Sequence, residues 1–409
     1  AQRAPPLTDI MSVPLARSSS TSTATSPNSL TSTIITTTRM PTSDTSSRAA
    51  PAASILTVDL DAIAANYRML SDEVAPAVCA GVVKADAYGL GLEPVARRLW
   101  REGCRVYFVA SLEEGIALRS ILTEADIAPL NGLLPGEEAH YREHRLFPTL
   151  NDFGQVERWS AYCASHDFSP AVLHVDTGMS RLGLSVIERN RLLETPDLIS
   201  DFECRYLISH LACADTPDHA LNLQQKAAFA SVVERVPHKC ASLSASSGIF
   251  LGKDWHFGMV RAGVALYGGA PTEGRPNPMT PVIRLDGLVL QIRDVDSPET
   301  VGYGATHKFA GKTRVATVAA GYADGYLRSV GGHAAARWGN QTLPLVGRVS
   351  MDLITLDATA ATGLKAGDTV ELIGPDYDIN ALARDAGTIP YEILTSLGRR
   401  YGRRYLGDS

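Results

Sequence analysis

Between residues 55 and about 280 the chain alternates short apolar runs with longer stretches in which apolar residues recur at helical spacing. The runs are AVCAGVVK (77–84), VYFVA (106–110), PLNGLL (129–134), FPTL (147–150), AVLHVD (171–176), RYLISH (205–210), ASLSAS (241–246) and VRAGVALYG (260–268). Runs of this length, set between helix-like segments such as LEPVARRLWREG and QQKAAFASVVERV, read as strands. Eight strands alternating with helices over about 220 residues predict a (β/α)8 barrel. An open doubly wound sheet is the alternative, but no G-x-G-x-x-G follows the first strand.

The texture changes after about residue 281. PVIRLDGLVLQIRDV, RVATVAAGY, LPLVGRVSMDLITLD and DTVELIG are β-rich runs punctuated by Gly, Asp and Asn, with few helix-length segments. Residues 1–50 differ again: rich in Ser, Thr, Pro and Ala, without hydrophobic periodicity, and with no acid between Asp9 and Asp44. Such a segment cannot bury enough apolar surface to offset its ordering entropy. The expected fold is therefore α/β: a disordered tail (1–50), a (β/α)8 TIM-type barrel (51–280) and a mostly β C-terminal domain (281–409). The tail is Ser-rich and acid-poor like a transit peptide, but Arg17 and Arg39 are sparse and no amphipathic stripe is visible. Met11 or Met40 could be the natural start.

Composition narrows the function classes. Apolar residues make up 45% and charged residues 20% of 409, ordinary for a soluble protein with a sizeable core. A net charge of −6 without a Lys/Arg run argues against nucleic acid or an acidic membrane as partner. No apolar stretch is long enough to span a bilayer. Cys79, Cys104, Cys163, Cys204, Cys213 and Cys240 are scattered without metal spacing, which fits buried thiols in a reducing compartment, hence the cytoplasm. No metal is expected, since HExxH, P-loop and EF-hand patterns are all missing.

The basic residues hold a clearer signal. Only seven of 38 are lysines, and Lys84 is the sole lysine before Lys226. It closes an apolar strand and precedes Ala-Asp-Ala-Tyr-Gly-Leu-Gly. The C-terminal ends of barrel strands carry the catalytic groups of this fold. A lysine desolvated there has a lowered pKa and becomes a nucleophilic amine able to form a Schiff base. Position alone leaves open a lysine that snorkels at a strand end.

After the fifth strand comes His174-Val175-Asp176-Thr177-Gly178-Met179-Ser180-Arg181-Leu182-Gly183, where Arg181 could grip a carboxylate or be an exposed loop arginine. His210 ends the sixth strand, as a buried core histidine also could. Ser246, Ser247 and Gly248 follow the seventh, and Arg261 and Gly263 lie on the eighth, a region that commonly binds phosphate. In the β-rich part, VGYGAT (301–306) and GYADGY (321–326) set tyrosines beside glycines. A tyrosine acting as acid or base needs its phenol pKa lowered, for instance by a cation.

Taken together these motifs resemble bacterial alanine racemase over essentially all of residues 55–405. VVKADAYGLG is similar to that family's cofactor-lysine signature. DTGMSRLG, SHLACAD, MVRAGVALYG, GYGATHKF, GYADGY, VSMD and IPYE follow in the family's order. The resemblance implies an isomerase that interconverts L- and D-alanine with pyridoxal 5'-phosphate through an external aldimine, supplying D-alanine for peptidoglycan. It also implies a homodimer with active sites at the subunit interface. Lys84 would carry the cofactor and act as base on the D-side of Cα. Tyr303, from the second subunit, would be the opposite base. His210 would link Tyr303 to Arg261, which faces the pyridine nitrogen. Tyr88, Ser246, Gly263, Val264 and Tyr391 would hold the phosphate. Arg181 and the Met351 backbone would bind the substrate carboxylate, with Tyr322 lining its entry.

Those roles are physically coherent. The cofactor is an electron sink for a Cα carbanion, and racemisation needs a base on each face. An arginine at the ring nitrogen gives up its proton with difficulty, which disfavours transamination. Two positions depart from the family. A lysine that can be carbamylated is often found where this chain has His174, so Arg181 must be held by something else, a chloride or a neighbouring acid. The usual Asn before the phosphate serine is Ala245. The alternatives are a racemase of serine or another small amino acid, a decarboxylase of the same architecture, and a non-catalytic cofactor-binding barrel. Decarboxylases place an acid where this chain has Arg261, and the binding barrel lacks the β domain with its tyrosines.

Overall fold

A computed structural model describes residues 52–407, so the readings of the tail at 1–50 lie outside the described residues. The eight expected barrel strands form, all parallel. They are β2 (Val78–Val82), β3 (Val106–Val109), β4 (Asp126–Pro129), β5 (Thr149–Leu150), β6 (Pro170–His174), β7 (Glu203–Ile208), β8 (Cys240–Ser242) and β9 (Met259–Ala262). Their ladders run β4-β3-β2-β9 and β5-β6-β7-β8. Backbone bonds join these two arcs into a closed barrel: Phe147 N–H to Ile127 O (2.9 Å) at one seam, and Gly258 N–H to Ala241 O (3.1 Å) and Arg261 N–H to Ser244 O (2.9 Å) at the other. Every residue of β3, VYFV, is buried, as a strand covered on both faces must be.

Capping residues start the connecting helices where the strands release the chain. Ser111 caps Leu112–Ile121, Asp152 caps Phe153–Ser165, and Ser185 with Glu188 forms a capping box on Val186–Glu194.

The third strand lies earlier than its apolar run suggests. It spans Asp126–Pro129 rather than 129–134. Asp126 is a strand residue because its carboxylate accepts from the Tyr206 hydroxyl (2.6 Å) and Arg205 (3.3 Å) on β7. Leu130–Leu134 belong to the following loop, where Leu130 and Asn131 reach the cavity and Leu134 faces solvent.

A second difference concerns the start of the barrel at residue 51. Strand β1 (Ser54–Asp59) does not join the barrel: it pairs antiparallel with β10 (Ile283–Val295) and parallel with β18 (Gly402–Leu406). The chain enters the barrel only through helix Leu60–Val74, whose cap Asp59 accepts from Ala62 N–H (2.9 Å). Alternation cannot reveal this, since a strand's partner sheet is not written in its own residues.

The remaining strands are β11 (Thr300–Val301), β12 (His307–Lys308), β13 (Thr313–Val318), β14 (Ala335–Trp338), β15 (Gln341–Pro344), β16 (Ile354–Asp357) and β17 (Thr369–Ile373). The main sheet orders β15-β14-β17-β10-β1-β18, with β13 bridging β10 and β16. Tyr405 Oη donates to Leu90 O (2.9 Å), Arg403 to Gly89 O (2.6 Å), and Ala270 N–H to Asn380 Oδ1 (2.7 Å). These bonds seat the β half beside the turn that follows Lys84.

Candidate active site

An opening lies where the barrel strands end. It is a cavity of about 630 Å³ walled by residues at or just past the ends of β2, β4, β6, β7, β8 and β9, with Ile389 and Tyr391 added from the β half. Lys84 stands at its edge and opens a turn of unusual backbone. Ala85, Asp86, Ala87 and Tyr88 have φ of 54°, 55°, 52° and 57°, and Gly89 at 82° ends the run. Consecutive left-handed residues cost about 1–2 kcal/mol each, so the surroundings must hold them. Glu114 does so: one oxygen accepts from Ala85 N–H (2.8 Å), the other from Ala110 N–H (2.7 Å). Asp86 accepts from Leu92 N–H (2.7 Å). Burial first, then the Arg181 charge, lowers the Lys84 pKa, with Glu114 opposing. The result is an amine more readily available as a free base.

Arg261, on β9, is buried in the barrel interior. It donates to Ser242 O (2.8 Å) and Oγ (2.7 Å), to Ser209 O (2.6 Å) and to His210 Nδ1 (3.2 Å). Burial pushes its pKa down to about 10, which still leaves a cation at neutral pH. A guanidinium only donates, so His210 Nδ1 accepts and a neutral His210 carries its proton on Nε2. Burial, then Arg261, Arg181, His174 and Lys84, pushes the His210 pKa down to about 3. Gln225 braces this histidine's backbone by donating to His210 O (2.9 Å) while accepting from Ala212 N–H (2.9 Å).

Beside it, Ser246 Oγ accepts from Gly263 N–H (2.9 Å) and Ala265 N–H (3.2 Å). With both lone pairs engaged, its hydroxyl hydrogen is left for a ligand. Tyr88 stacks on Tyr267 (4.6 Å) and tilts toward Tyr391 (6.0 Å). Burial raises both cavity phenols, Tyr391 to about 12, so each remains a donor at neutral pH. A Cβ on Gly263 would stand 2.5 Å from the Tyr88 hydroxyl, so only glycine fits there. Three hydroxyl donors around a glycine cradle suit a phosphate group, and Lys84 in the same cavity suits the aldehyde of pyridoxal phosphate.

Nine of the twelve residues singled out in the sequence line this cavity: Lys84, Tyr88, Arg181, His210, Ser246, Arg261, Gly263, Val264 and Tyr391. Tyr303, Tyr322 and Met351 do not. They lie on the β half with 67%, 41% and 53% of their surface exposed. Those three are close to one another in the chain's fold. Ala323 N–H donates to Met351 O (2.9 Å), and the turn at Tyr303 packs against Arg348, three residues before Met351. Sequence reasoning passed over Glu114, Gln225 and Asn151, whose roles depend on partners 29, 15 and 23 residues away. No local pattern marks them.

Comparison with known proteins fits this geometry. The family profile described as alanine racemase, N-terminal domain, matches residues 58–271, and that for the C-terminal domain matches residues 282–405. The chain belongs to the alanine racemase family. It is 47% identical to the alanine racemase of Rhodospirillum rubrum over 361 residues, covering 87% of this chain and 96% of that one. It is 48% identical to that of a Methylobacterium strain over 354 residues, covering 86% and 97%. Among solved structures, alanine racemase from Bartonella henselae with covalently bound pyridoxal phosphate is similar at a TM-score of 0.84 and 41% identity. That match covers 87% of this chain and all of the other. The barrel-plus-β architecture is thus the family's.

Proposed function

We propose that this chain is an alanine racemase that uses pyridoxal 5'-phosphate and works as a homodimer, with Lys84 and Tyr303 as the two bases. The observation that carries the reading is that Lys84, desolvated at the cavity edge, shares that cavity with a deeply buried Arg261 on the neighbouring strand. The bound cofactor supplies the electron sink that acidifies the substrate Cα–H. In this reading Lys84 anchors it, and Tyr88, Ser246, Gly263, Val264 and Tyr391 hold its phosphate. Arg261 would lie at the ring nitrogen. It keeps its proton at neutral pH, so it favours racemisation over chemistry that needs a protonated ring.

Of Lys84 and Tyr303, the one facing the Cα–H takes that proton as a base. The other, protonated on the opposite face, gives its own proton to Cα, so configuration inverts and each ends in the other's starting protonation state. Tyr303 lies outside its own chain's cavity, which supports its delivery into the cavity of a second copy. There the Nε2–H of His210 would meet the phenol oxygen and stabilise its ionised form. Arg181 and the Met351 backbone bind the substrate carboxylate, and Tyr322 lines the entry.

No described helix is long and apolar enough to cross a membrane. Six unpaired cysteines support a cytoplasmic setting, where D-alanine would feed peptidoglycan.

Chiral analysis of the purified, cofactor-loaded protein with L-alanine, beside L-serine and L-ornithine, tests this. D-Alanine should accumulate until both enantiomers are equal, faster than any other product. A cofactor-loaded protein that forms no D-amino acid would overturn the reading.

A further inference from the structure

The short helix after β4, Glu138–Glu143, carries a cluster that the mechanism above does not use. Among the described residues, His140, Glu143 and His144 form a group whose ligand atoms all lie within 4.8 Å of one another. His140 and His144 are one turn apart, with His144 N–H donating to His140 O (3.0 Å), so both imidazoles leave the same face. Glu143 adds a carboxylate oxygen 3.8 Å from His140 Nδ1 and makes no other ion pair among the described residues. The HExxH pattern misses this cluster, because here the glutamate precedes the second histidine.

The side chains reach solvent, but the backbone beneath them is held. Tyr141, which follows His140, is fully buried, donates to Gly132 O (2.9 Å) and meets Trp159 edge-on (6.4 Å). Arg119 donates to His144 O (3.0 Å) and Arg145 O (2.6 Å), satisfying carbonyls at the helix end. Arg145 then turns the chain away at φ 51°. Of the flanking arginines, Arg142 pairs with Asp167 and Arg145 donates to Thr123 O (2.9 Å), which leaves the Glu143 carboxylate to the histidines.

We propose that His140, Glu143 and His144 form a surface site for one zinc ion, separate from the cavity. Two imidazole nitrogens and a carboxylate oxygen are a zinc donor set, with water in the fourth position. Magnesium and calcium take oxygen shells, so the two imidazoles select against them. Ligands about 2.1 Å from zinc in a tetrahedron stand about 3.4 Å apart. From separations of at most 4.8 Å, the solvent-facing side chains close that gap by rotating, with the backbone left in place. None of the three lines the cavity, so the site does not depend on Lys84 or on the proposed function.

Zinc chloride titrated calorimetrically into the cofactor-loaded full chain, free of any histidine tag, tests this. One equivalent per chain should bind at this site, and magnesium chloride should not compete for it. Loss of a partner that only orients a ligand already costs about 10–100-fold in metal affinity, so H140A and H144A should each cost at least as much. E143Q, which keeps an oxygen but loses the charge, should cost less. H140A/H144A should remove the equivalent altogether with the cofactor absorbance unchanged, which shows that the fold is intact. H166A, at an exposed histidine outside the cluster, should bind zinc as the parent does. Parental zinc binding in H140A/H144A would place the ion elsewhere and overturn the inference, as would a parent that takes up no zinc. Neither readout involves alanine, so failure here and failure of the racemase reading are told apart.

Discussion

The two halves of the molecule handle their candidate residues in opposite ways. In the barrel half, Arg261 and Ser246 are buried and His210 is held between Arg261 and Gln225. Their protonation is set by desolvation and by neighbouring charge. In the β half, Tyr303, Tyr322 and Met351 are displayed on the surface, where Leu353 is exposed as well. Tyr303 sits in a turn flanked by Gly302 and Gly304, both at φ 75°. The barrel half carries a formed cavity, whereas the β half leaves these side chains open to solvent.

The largest test of this contrast removes the group on which the barrel half centres. Lys84→Ala should abolish the visible absorbance of lysine-bound cofactor and lower turnover by about 10⁴ or more, since anchor and base are lost together. Tyr303→Phe should instead keep the cofactor spectrum and lose about 10²–10⁴ in kcat, the range for one general base. Mixing the two inactive proteins under exchange conditions sharpens the comparison. If Tyr303 completes the cavity of a second copy, each mixed dimer has one intact site. About a quarter of parental activity should then return in a statistical mixture of two-fold symmetric dimers. No recovery despite demonstrated exchange would place Tyr303 in its own chain's chemistry and erase the contrast.

The sequence carried this contrast unevenly. Lys84 was legible because it is a lone lysine at the end of an apolar run, a one-dimensional pattern that the barrel turns directly into position. Seven of the eight barrel strands read correctly for the same reason, while β4 slipped because Leu130–Leu134 are apolar for the sake of cavity and loop, not ladder. Strand β1 was misplaced because pairing with β10 and β18 closes over more than 200 residues. His174 was visible only as a departure from the family, since its partner Asn151 lies 23 residues earlier. That Tyr303 would stand apart from Lys84 could be drawn only from the resemblance. Nothing in GYGAT says which cavity it serves.

A smaller effect probes how tightly the barrel half is built. Gly263→Ala would set a methyl 2.5 Å from the Tyr88 hydroxyl, beside the left-handed turn that begins at Lys84. Overpacking of this kind costs about 1–3 kcal/mol. It should appear as roughly a tenfold or greater loss of pyridoxal phosphate affinity, measured by absorbance titration, with the dimer retained. The equivalent change on the β half, Gly311→Ala, meets no atom within 4 Å and should leave cofactor affinity and activity at the parental level. Equal effects at the two glycines would mean that the barrel site is no more tightly packed than the β surface.

The gentlest probe is pH, read through the two buried histidines of the barrel half. His210 and His174 both sit near a pKa of about 3, held down first by burial and then by Arg261. In the unfolded chain each titrates near 6.5, so between those values the unfolded state binds more protons than the folded one. The stability these neutral rings contribute is therefore complete above about pH 6.5 and lost as pH falls toward 3. Each should add about 1.4 kcal/mol per pH unit to the slope of unfolding free energy between pH 6 and 4. Denaturant titrations of the cofactor-loaded protein across that range measure the slope, and His210→Asn should flatten it by one histidine's share. A slope that His210→Asn does not alter would mean that the imidazole takes up its proton in place. The bond from Arg261 would then have to break, and the barrel half would be as open to solvent chemistry as the face that carries Tyr303.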